Sequence, residues 1–402
     1  MKKFFAICMA AMMAFGAVGC SSSTEGTTET TESTETTEST EGEETSEATG
    51  EEILIGGLAP LTGSVAVYGT AAVNGAKLAF DEINANGGIL GGSQIKFEVL
   101  DEKGDATEAV NAYNKLSSMD MVALIGDVTS KPTAAVAEMA ASENMPMITP
   151  TGTSADITTY GPNVFRVCFL DPTQGKTMAD FASETLGATK VAVIHNTSDD
   201  YSDGIATAFK EEAAALGMEV VADEGYGNDD VDFRAQLTTI AQSGAEVLLI
   251  PDYYGKIALI SSQAKEVGVT ATLLGGDGWD GVATALDESS YDVVEGAYFC
   301  NHYSTMDESE KVQNFIASYK ETYNEEPSAF AALAYDAAYI MANAIDAAGS
   351  TDKQAIVDAI AATDYEGITG HMTFDENGDP VKTISIIQMK DGAYTLYGTV
   401  EP

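Results

Sequence analysis

Ile53-Leu54-Ile55-Gly56-Gly57-Leu58-Ala59-Pro60-Leu61-Thr62-Gly63 opens the folded part of this chain. Its run Ile53–Leu58 is short, apolar and rich in β-branched residues, and Pro60 and Gly63 follow, so it reads as a buried strand leading into a turn. Beyond the turn, Val73, Ala76, Phe80 and Ile83 recur at spacings of three and four, the mark of an amphipathic helix laid on a sheet. The same alternation then repeats. Apolar runs stand at Ile95–Leu100, Met121–Gly126, Met145–Thr149, Val191–His195, Met218–Ala222, Val247–Ile250 and Thr272–Gly275, with longer segments of helical period between them. Strand and helix in alternation predict an α/β protein of doubly wound parallel sheets, each covered on both faces.

Two such blocks are visible, divided near residue 171, and the roughly 350 residues after position 52 exceed one compact core. Asp307–Asn324 and Ala329–Ala348 read as helices, and Gly370–Asp379 with Ile384–Met389 and Tyr394–Tyr397 as a terminal strand pair. With no block of their own, these late elements are expected to return and complete both lobes.

Outward to the N-terminus, Lys2 and Lys3 precede the apolar run Phe4–Val18, which stops at Ala17-Val18-Gly19-Cys20. That run is too short for a membrane span, so residues 1–20 read as a secretory signal and the folded part is expected outside the cytoplasm. The ending at Cys20 resembles the lipobox of bacterial lipoproteins, which implies a lipid-modified Cys20 at the outer face of the cell membrane or in the periplasm. Residues 21–52 hold 11 Glu and no Lys or Arg among Ser, Thr and Gly, too little apolar surface to fold. They read as a disordered tether with a mean reach on the order of 30 Å.

The chain carries 19 basic against 63 acidic residues, a net charge of −44, which excludes nucleic acid as a partner because phosphate binding needs clustered Lys and Arg. Solubility explains the acidity without a cationic partner. Cys168 and Cys300 remain once Cys8 and Cys20 are set aside; outside the cell they either pair or stay as buried thiols.

Several motifs fail on inspection. Gly175-Lys176-Thr177 resembles the end of a phosphate-binding loop, but the first Gly of that pattern would fall at Leu170. Asp375-Glu376-Asn377-Gly378-Asp379 starts like a calcium loop, yet Pro380 occupies the place of the turn Gly, so a hairpin turn is expected. His195, His302 and His371 are isolated, with no metal-ligand spacing around them, and no Gly-x-Ser-x-Gly elbow occurs. No metal, cofactor or catalytic group is therefore predicted.

The remaining chemistry lies in loops at the carboxyl ends of the predicted strands, where open α/β sheets bind ligands. Thr129 and Ser130 precede an Ala-rich helix and read as caps; Thr153, three residues before Asp156, reads as a second cap. Two helix N-termini with free amides and hydroxyls suit a carboxylate. Opposite them, Asp277 suits a cation, with Tyr201, Tyr253 and the sole Trp, Trp279, as apolar walls. A zwitterion needs both charges compensated on burial, so an α-amino acid fits.

Ile55–Gly63, Tyr68-Gly69, Asn74-Gly75-Ala76, Asp81-Glu82-Ile83-Asn84, Gly87-Gly88-Ile89, Ile125-Gly126, Ile148-Thr149-Pro150, Val191–His195, Tyr253-Tyr254, Gly275–Trp279 and the Phe374–Gly378 turn, in this order, resemble the Leu/Ile/Val-binding proteins. These are the solute receptors of branched-chain amino acid ABC importers. The resemblance covers nearly everything after residue 52. It implies a type I periplasmic-binding-protein fold in which a three-strand hinge, crossing near Asp171, His302 and Thr369, joins two lobes. The lobes would be 53–171 plus 303–368 and 172–302 plus 369–402. It also implies a ligand carboxylate held by Ser130 and by the amide and hydroxyl of Thr153 in the loop Thr151-Gly152-Thr153. The ammonium group falls to the Thr151 carbonyl and Asp277, and Tyr68, Tyr201 and Tyr253 shape the pocket. The family archetype carries Glu where this chain has Asp277, one methylene shorter, so the ligand would sit deeper or a water would bridge.

The expectation is thus a monomeric, lipid-anchored solute-binding protein that captures a branched-chain or other aliphatic amino acid by hinge closure and hands it to a membrane permease, without catalysis. A ligand-sensing receptor on the same scaffold, or capture of another small carboxylate or amide, is the alternative. An enzyme acting in the cleft lacks an assembled nucleophile, base and orienting group.

Overall fold

The computed structural model describes residues 50–401; the expected signal, Cys20 and most of the tether lie outside the described residues. The first sheet is built from β1 (Ile53–Ala59), β2 (Ile95–Asp101), β3 (Ala123–Ile125), β4 (Met147–Thr149) and β5 (Val164–Arg166), with α1 (Ala66–Ala85), α2 (Ala106–Ser117) and α3 (Ser130–Ser142) between them. Its order is β2-β1-β3-β4-β5, all parallel. β1 is an interior strand, buried at every residue but Leu54, which is why its sequence is an unbroken apolar run.

The second lobe begins with α4 (Asp171–Asp180) and continues β6 (Lys190–Asn196), α5 (Asp200–Ala215), β7 (Glu219–Tyr226), α6 (Arg234–Ser243), β8 (Val247–Leu249), α7 (Tyr254–Val267), β9 (Thr272–Gly275) and β10 (Tyr298–Asn301). The chain then returns as α8 (Glu310–Tyr323), α9 (Ala329–Ala348) and α10 (Lys353–Ala361), whose apolar faces join the core of the first sheet with α1. Last come β11 (Asp364–Gly367), β12 (Gly370–Thr373), β13 (Ile384–Lys390) and β14 (Ala393–Val400). The second sheet runs β14-β13-β10-β9-β8-β6-β7. It is parallel up to β10, where β13 adds antiparallel and pairs with β14 through a tight turn at Asp391-Gly392, both at positive φ. Gly370–Asp379 does not join that terminal pair: β12 pairs with β11 in a separate hairpin, and Phe374–Pro380 closes a turn.

Three details correct or decide points left by the sequence. Gly175-Lys176-Thr177 lies inside α4, not in a loop. Cys168 and Cys300 are both buried free thiols, the first donating to the Gly152 carbonyl at 3.3 Å, so they brace nothing covalently. The buried Lys382 ammonium instead ties two of the passages between sheets, donating to the Val167 carbonyl at 3.0 Å and the Thr369 hydroxyl at 2.9 Å.

Each sheet reverses its order once, between β1 and β3 and between β6 and β8. At those reversals, adjacent loops diverge to opposite faces and leave a crevice at the carboxyl ends of the strands. The loops after β3 and β4 in one lobe, and after β6, β8 and β9 in the other, therefore meet in one cleft.

Candidate functional site

On the first lobe, the loops after β3 and β4 are laced together by backbone-directed hydroxyls. Thr149 Oγ1 donates to the Asp127 carbonyl at 2.7 Å and accepts from the Gly152 amide at 2.8 Å, while Thr151 Oγ1 donates to the Val128 carbonyl at 2.6 Å. Ser130 Oγ, 2 % exposed, accepts the Ser154 amide at 3.2 Å, which leaves its own O–H to donate. The capping expectation is corrected here. Thr129 makes no side-chain cap bond to α3; Ser154, not Thr153, bonds Asp156, and only a four-residue 3-10 turn (Ile157–Tyr160) follows. On this lobe one helix N-terminus, not two, faces the cleft.

Opposite, Asp277 is buried after β9. Its Oδ1 accepts from Tyr201 Oη at 2.9 Å and Gln174 Nε2 at 3.1 Å, and its Oδ2 lies 3.0 Å from His302 Nε2. Burial pushes His302 down to about 4, so the ring is neutral at pH 7 and Nε2–H is the donor. Phe169 stacks on that ring at 3.7 Å. Tyr201 Oη also accepts the Gly278 amide at 2.8 Å, and its ring stacks on Tyr253 at 5.0 Å. Asp171 is a second buried acid: desolvation drives its carboxyl well above the usual range, and hydrogen bonding from Thr153 only partly opposes this.

Sequence reasoning missed Asp171, Gln174 and His302. Nothing in their spacing marks them, because they reach the site only when α4 and the strand end after β10 fold beside the loop after β9.

Ser130, Thr151 and Thr153 share one small cavity with Tyr201, Tyr253 and Asp277. At about 10 Å³ the free space there is close to that of one water, so the lobes must part to admit any larger solute. Outside it a cavity of about 370 Å³ opens, lined in part by Lys131, Asn196, Asp199 and Asp252. Tyr68 is not a wall of the small cavity but a clasp across it: Oη donates to the Gly278 carbonyl at 2.5 Å and accepts the Tyr254 amide at 2.8 Å. Gly152 stands behind the cavity, with no room for a Cβ against Thr149 and Thr133. Trp279 is a correction. Its indole is fully buried in the core of the second lobe, stacked on Phe299, and its Nε1–H donates to the Ile250 carbonyl at 2.9 Å. A polar N–H with a buried carbonyl to meet and a large apolar body is better satisfied there than in the cleft.

The arrangement offers hydroxyl and amide donors on one jaw, a buried carboxylate on the other, and aromatic rings between. Among the described residues no three His, Cys, Asp or Glu side chains stand together as a metal site.

Two α/β lobes shut over such a cavity define a two-lobed solute-binding protein. A sequence profile of the periplasmic binding protein family matches residues 52–393, and the chain belongs to that family. It is 31% identical over 323 residues to the leucine-, isoleucine-, valine-, threonine- and alanine-binding protein of Pseudomonas aeruginosa, covering 80% of this chain and 85% of that one. Against the Leu/Ile/Val-binding protein homolog 3 of Brucella melitensis the figures are 33% over 337 residues, 82% and 88%. Among solved structures, the branched-chain amino acid transporter substrate-binding protein LivJ of Streptococcus pneumoniae in complex with isoleucine superposes with a TM-score of 0.81. Its identity is 36%, and the match covers 88% of this chain and 100% of that one. The leucine-binding protein LivK of Thermotoga maritima gives a TM-score of 0.80 at 33% identity, over 87% and 99%. These relatives are binding proteins by name, and the family is a periplasmic, extracytoplasmic one.

Proposed function

We propose that this chain is the lipid-anchored, extracytoplasmic substrate-binding component of an ABC importer, and that it captures a branched-chain or other aliphatic α-amino acid between its lobes. The observation that carries the reading is the one small cavity lined by Ser130, Thr151 and Thr153 on one side and Asp277 on the other. Widened to admit it, this space lets the ligand carboxylate meet the Ser130 hydroxyl and the Thr153 amide and hydroxyl, while the ammonium meets the Thr151 carbonyl and Asp277. Tyr201 and Tyr253 frame the side chain, and Tyr68 clasps the lobes across it. The relatives named for leucine, isoleucine and valine support the ligand class. Contacts from both lobes, 53–171 plus 303–368 and 172–302 plus 369–402, favour the closed form, which a permease then reads; lipidated Cys20 keeps the monomer at the membrane.

Calorimetric titration of the purified protein with L-leucine, L-isoleucine, L-valine, L-alanine and L-threonine tests this. At least one aliphatic member is expected to bind with a Kd at or below about 10 μM, near −7 kcal/mol. A panel without heat from any of them refutes the ligand class.

A further inference from the structure

Arg166 is fully buried at the end of β5, directly behind the loop 151–154. Its Nη1 donates to the carbonyls of Gly152 at 3.0 Å and Ser154 at 2.8 Å, and its Nη2 to the Thr158 hydroxyl at 3.0 Å. Nε–H meets Asp379 Oδ1 at 2.6 Å. Asp379 closes the Asp375–Asp379 turn, which also approaches through its backbone, the Gly378 carbonyl accepting the Arg166 amide at 3.2 Å. The guanidinium therefore spends its fork on two backbone carbonyls and is steered by one carboxylate.

The Gly152 carbonyl and the Thr153 amide belong to one planar peptide unit, so they point in opposite directions. Pulling that carbonyl back onto the guanidinium turns the Thr153 N–H forward, toward the cavity that Thr153 lines. The bond is charge-assisted and polarises the amide it orients. Among the described residues the Thr153 amide, in a residue 1 % exposed, meets no acceptor, although the carbonyl of the same residue accepts from Asp171. A buried N–H without an acceptor is costly unless a ligand supplies one.

We infer that Arg166 is the positioning residue of the carboxylate half of the site: held by Asp379, it orients and polarises the Gly152–Thr153 peptide, so its positive charge acts on an anionic head group it never touches. This rests on the amino acid reading above and adds the source of its anion preference. The 375–379 turn, which resembles a calcium loop in sequence, is on this account the anchor of that relay.

The test compares L-leucine with L-leucinamide, which keeps the ammonium and side chain but lacks the carboxylate, on wild type, Arg166→Lys and Asp379→Asn. A Lys ammonium is shorter and cannot reach the two carbonyls, the Thr158 hydroxyl and Asp379 from one planar group, so the leucine-over-leucinamide affinity ratio is expected to fall at least tenfold in Arg166→Lys. Asp379→Asn, farther from the loop, should lower it about threefold, and it decides the matter alone if Arg166→Lys does not fold. Equal weakening of both ligands, or none, overturns the inference, because a merely structural role does not distinguish the head groups. If wild type binds neither compound, the amino acid reading fails, and hydrogen exchange still decides this one. Amides of 150–156 should then exchange at least tenfold faster in Asp379→Asn while those of 123–130 do not; unchanged exchange at 150–156 overturns it.

Discussion

Asp277 is the residue with the most partners in the cleft, and the way they are arranged supports the role proposed for it. Tyr201, Gln174 and His302 donate three neutral hydrogen bonds to its two oxygens, but none brings a positive charge. Donors of this kind orient a carboxylate without compensating its charge, which on the proposed reading falls to the ligand ammonium. Replacing Asp277 by Asn retains the shape and removes the charge. Binding of an amino acid should weaken by about 2–5 kcal/mol, thirtyfold or more, with thermal stability nearly unchanged, as calorimetry beside a melting curve will show. Trp279, two residues away, gives the opposite expectation. Its indole faces Phe299 and Ile250 within the second-lobe core, so its emission should be that of a dry indole and should hold steady as ligand is added. A large emission change in a titration that runs parallel to calorimetry contradicts this placement.

At the scale of elements, α1 does two things. Gly75 lets it touch α9: a Cβ there would stand 2.0 Å from the Ala331 carbonyl oxygen, so this glycine in the Asn74-Gly75-Ala76 motif is a helix-contact residue. Gly75→Ala must push the helices apart and should cost about 1–3 kcal/mol, read as a lower midpoint in urea at unchanged slope. The other end of α1 carries Tyr68, whose hydroxyl clasps Gly278 and Tyr254 of the opposite lobe and whose ring stacks on Phe330 at 4.0 Å. Tyr68→Phe keeps the stack and breaks the clasp, so ligand should leave several-fold faster, a loss of about 1–2 kcal/mol visible in stopped-flow dissociation. These elements were largely legible in the sequence: all eight apolar runs became strands, and α9 spans Ala329–Ala348 as its apolar length suggested. β5 was not, because three residues ending in a buried Arg166 carry no alternation to read. Nor were the partners of Asp277, since Gln174 and Tyr201 lie 103 and 76 residues from it and meet it only through the topology. Trp279 misled because adjacency in sequence to a cleft residue says nothing about which side of the backbone its ring takes.

For the molecule as a whole, the balance of buried acids sets how stability responds to pH. Glu102 and Asp127 meet behind the β1 and β3 loops, each with one oxygen lacking a partner in the fold, Oε1 and Oδ2. Burial lifts Glu102 to about 7 and Asp127 well above the carboxylate range, so the pair retains protons that an unfolded chain gives up above about 4.5. Asp252, raised to about 6, and Asp171, Asp280 and Asp336 shift the same way, each mainly through burial. These carboxyls bind more protons in the folded state than in the unfolded one between those limits, so their contribution is fully present below about pH 4.5 and is lost as pH rises through about 7. His302, held down to about 4 by burial, acts in the opposite sense below its ordinary range. Repulsion within a chain of net charge −44 acts in the same direction as those carboxyls. Glu102→Gln isolates one member, because an amide cannot titrate and can still donate to Asp127. Its melting temperature should fall less steeply than that of wild type between pH 4.5 and 8, the two curves diverging by a few degrees, about 1–2 kcal/mol at the alkaline end. Parallel curves across that range would show that the pair releases its proton as readily folded as unfolded, against the burial that defines it.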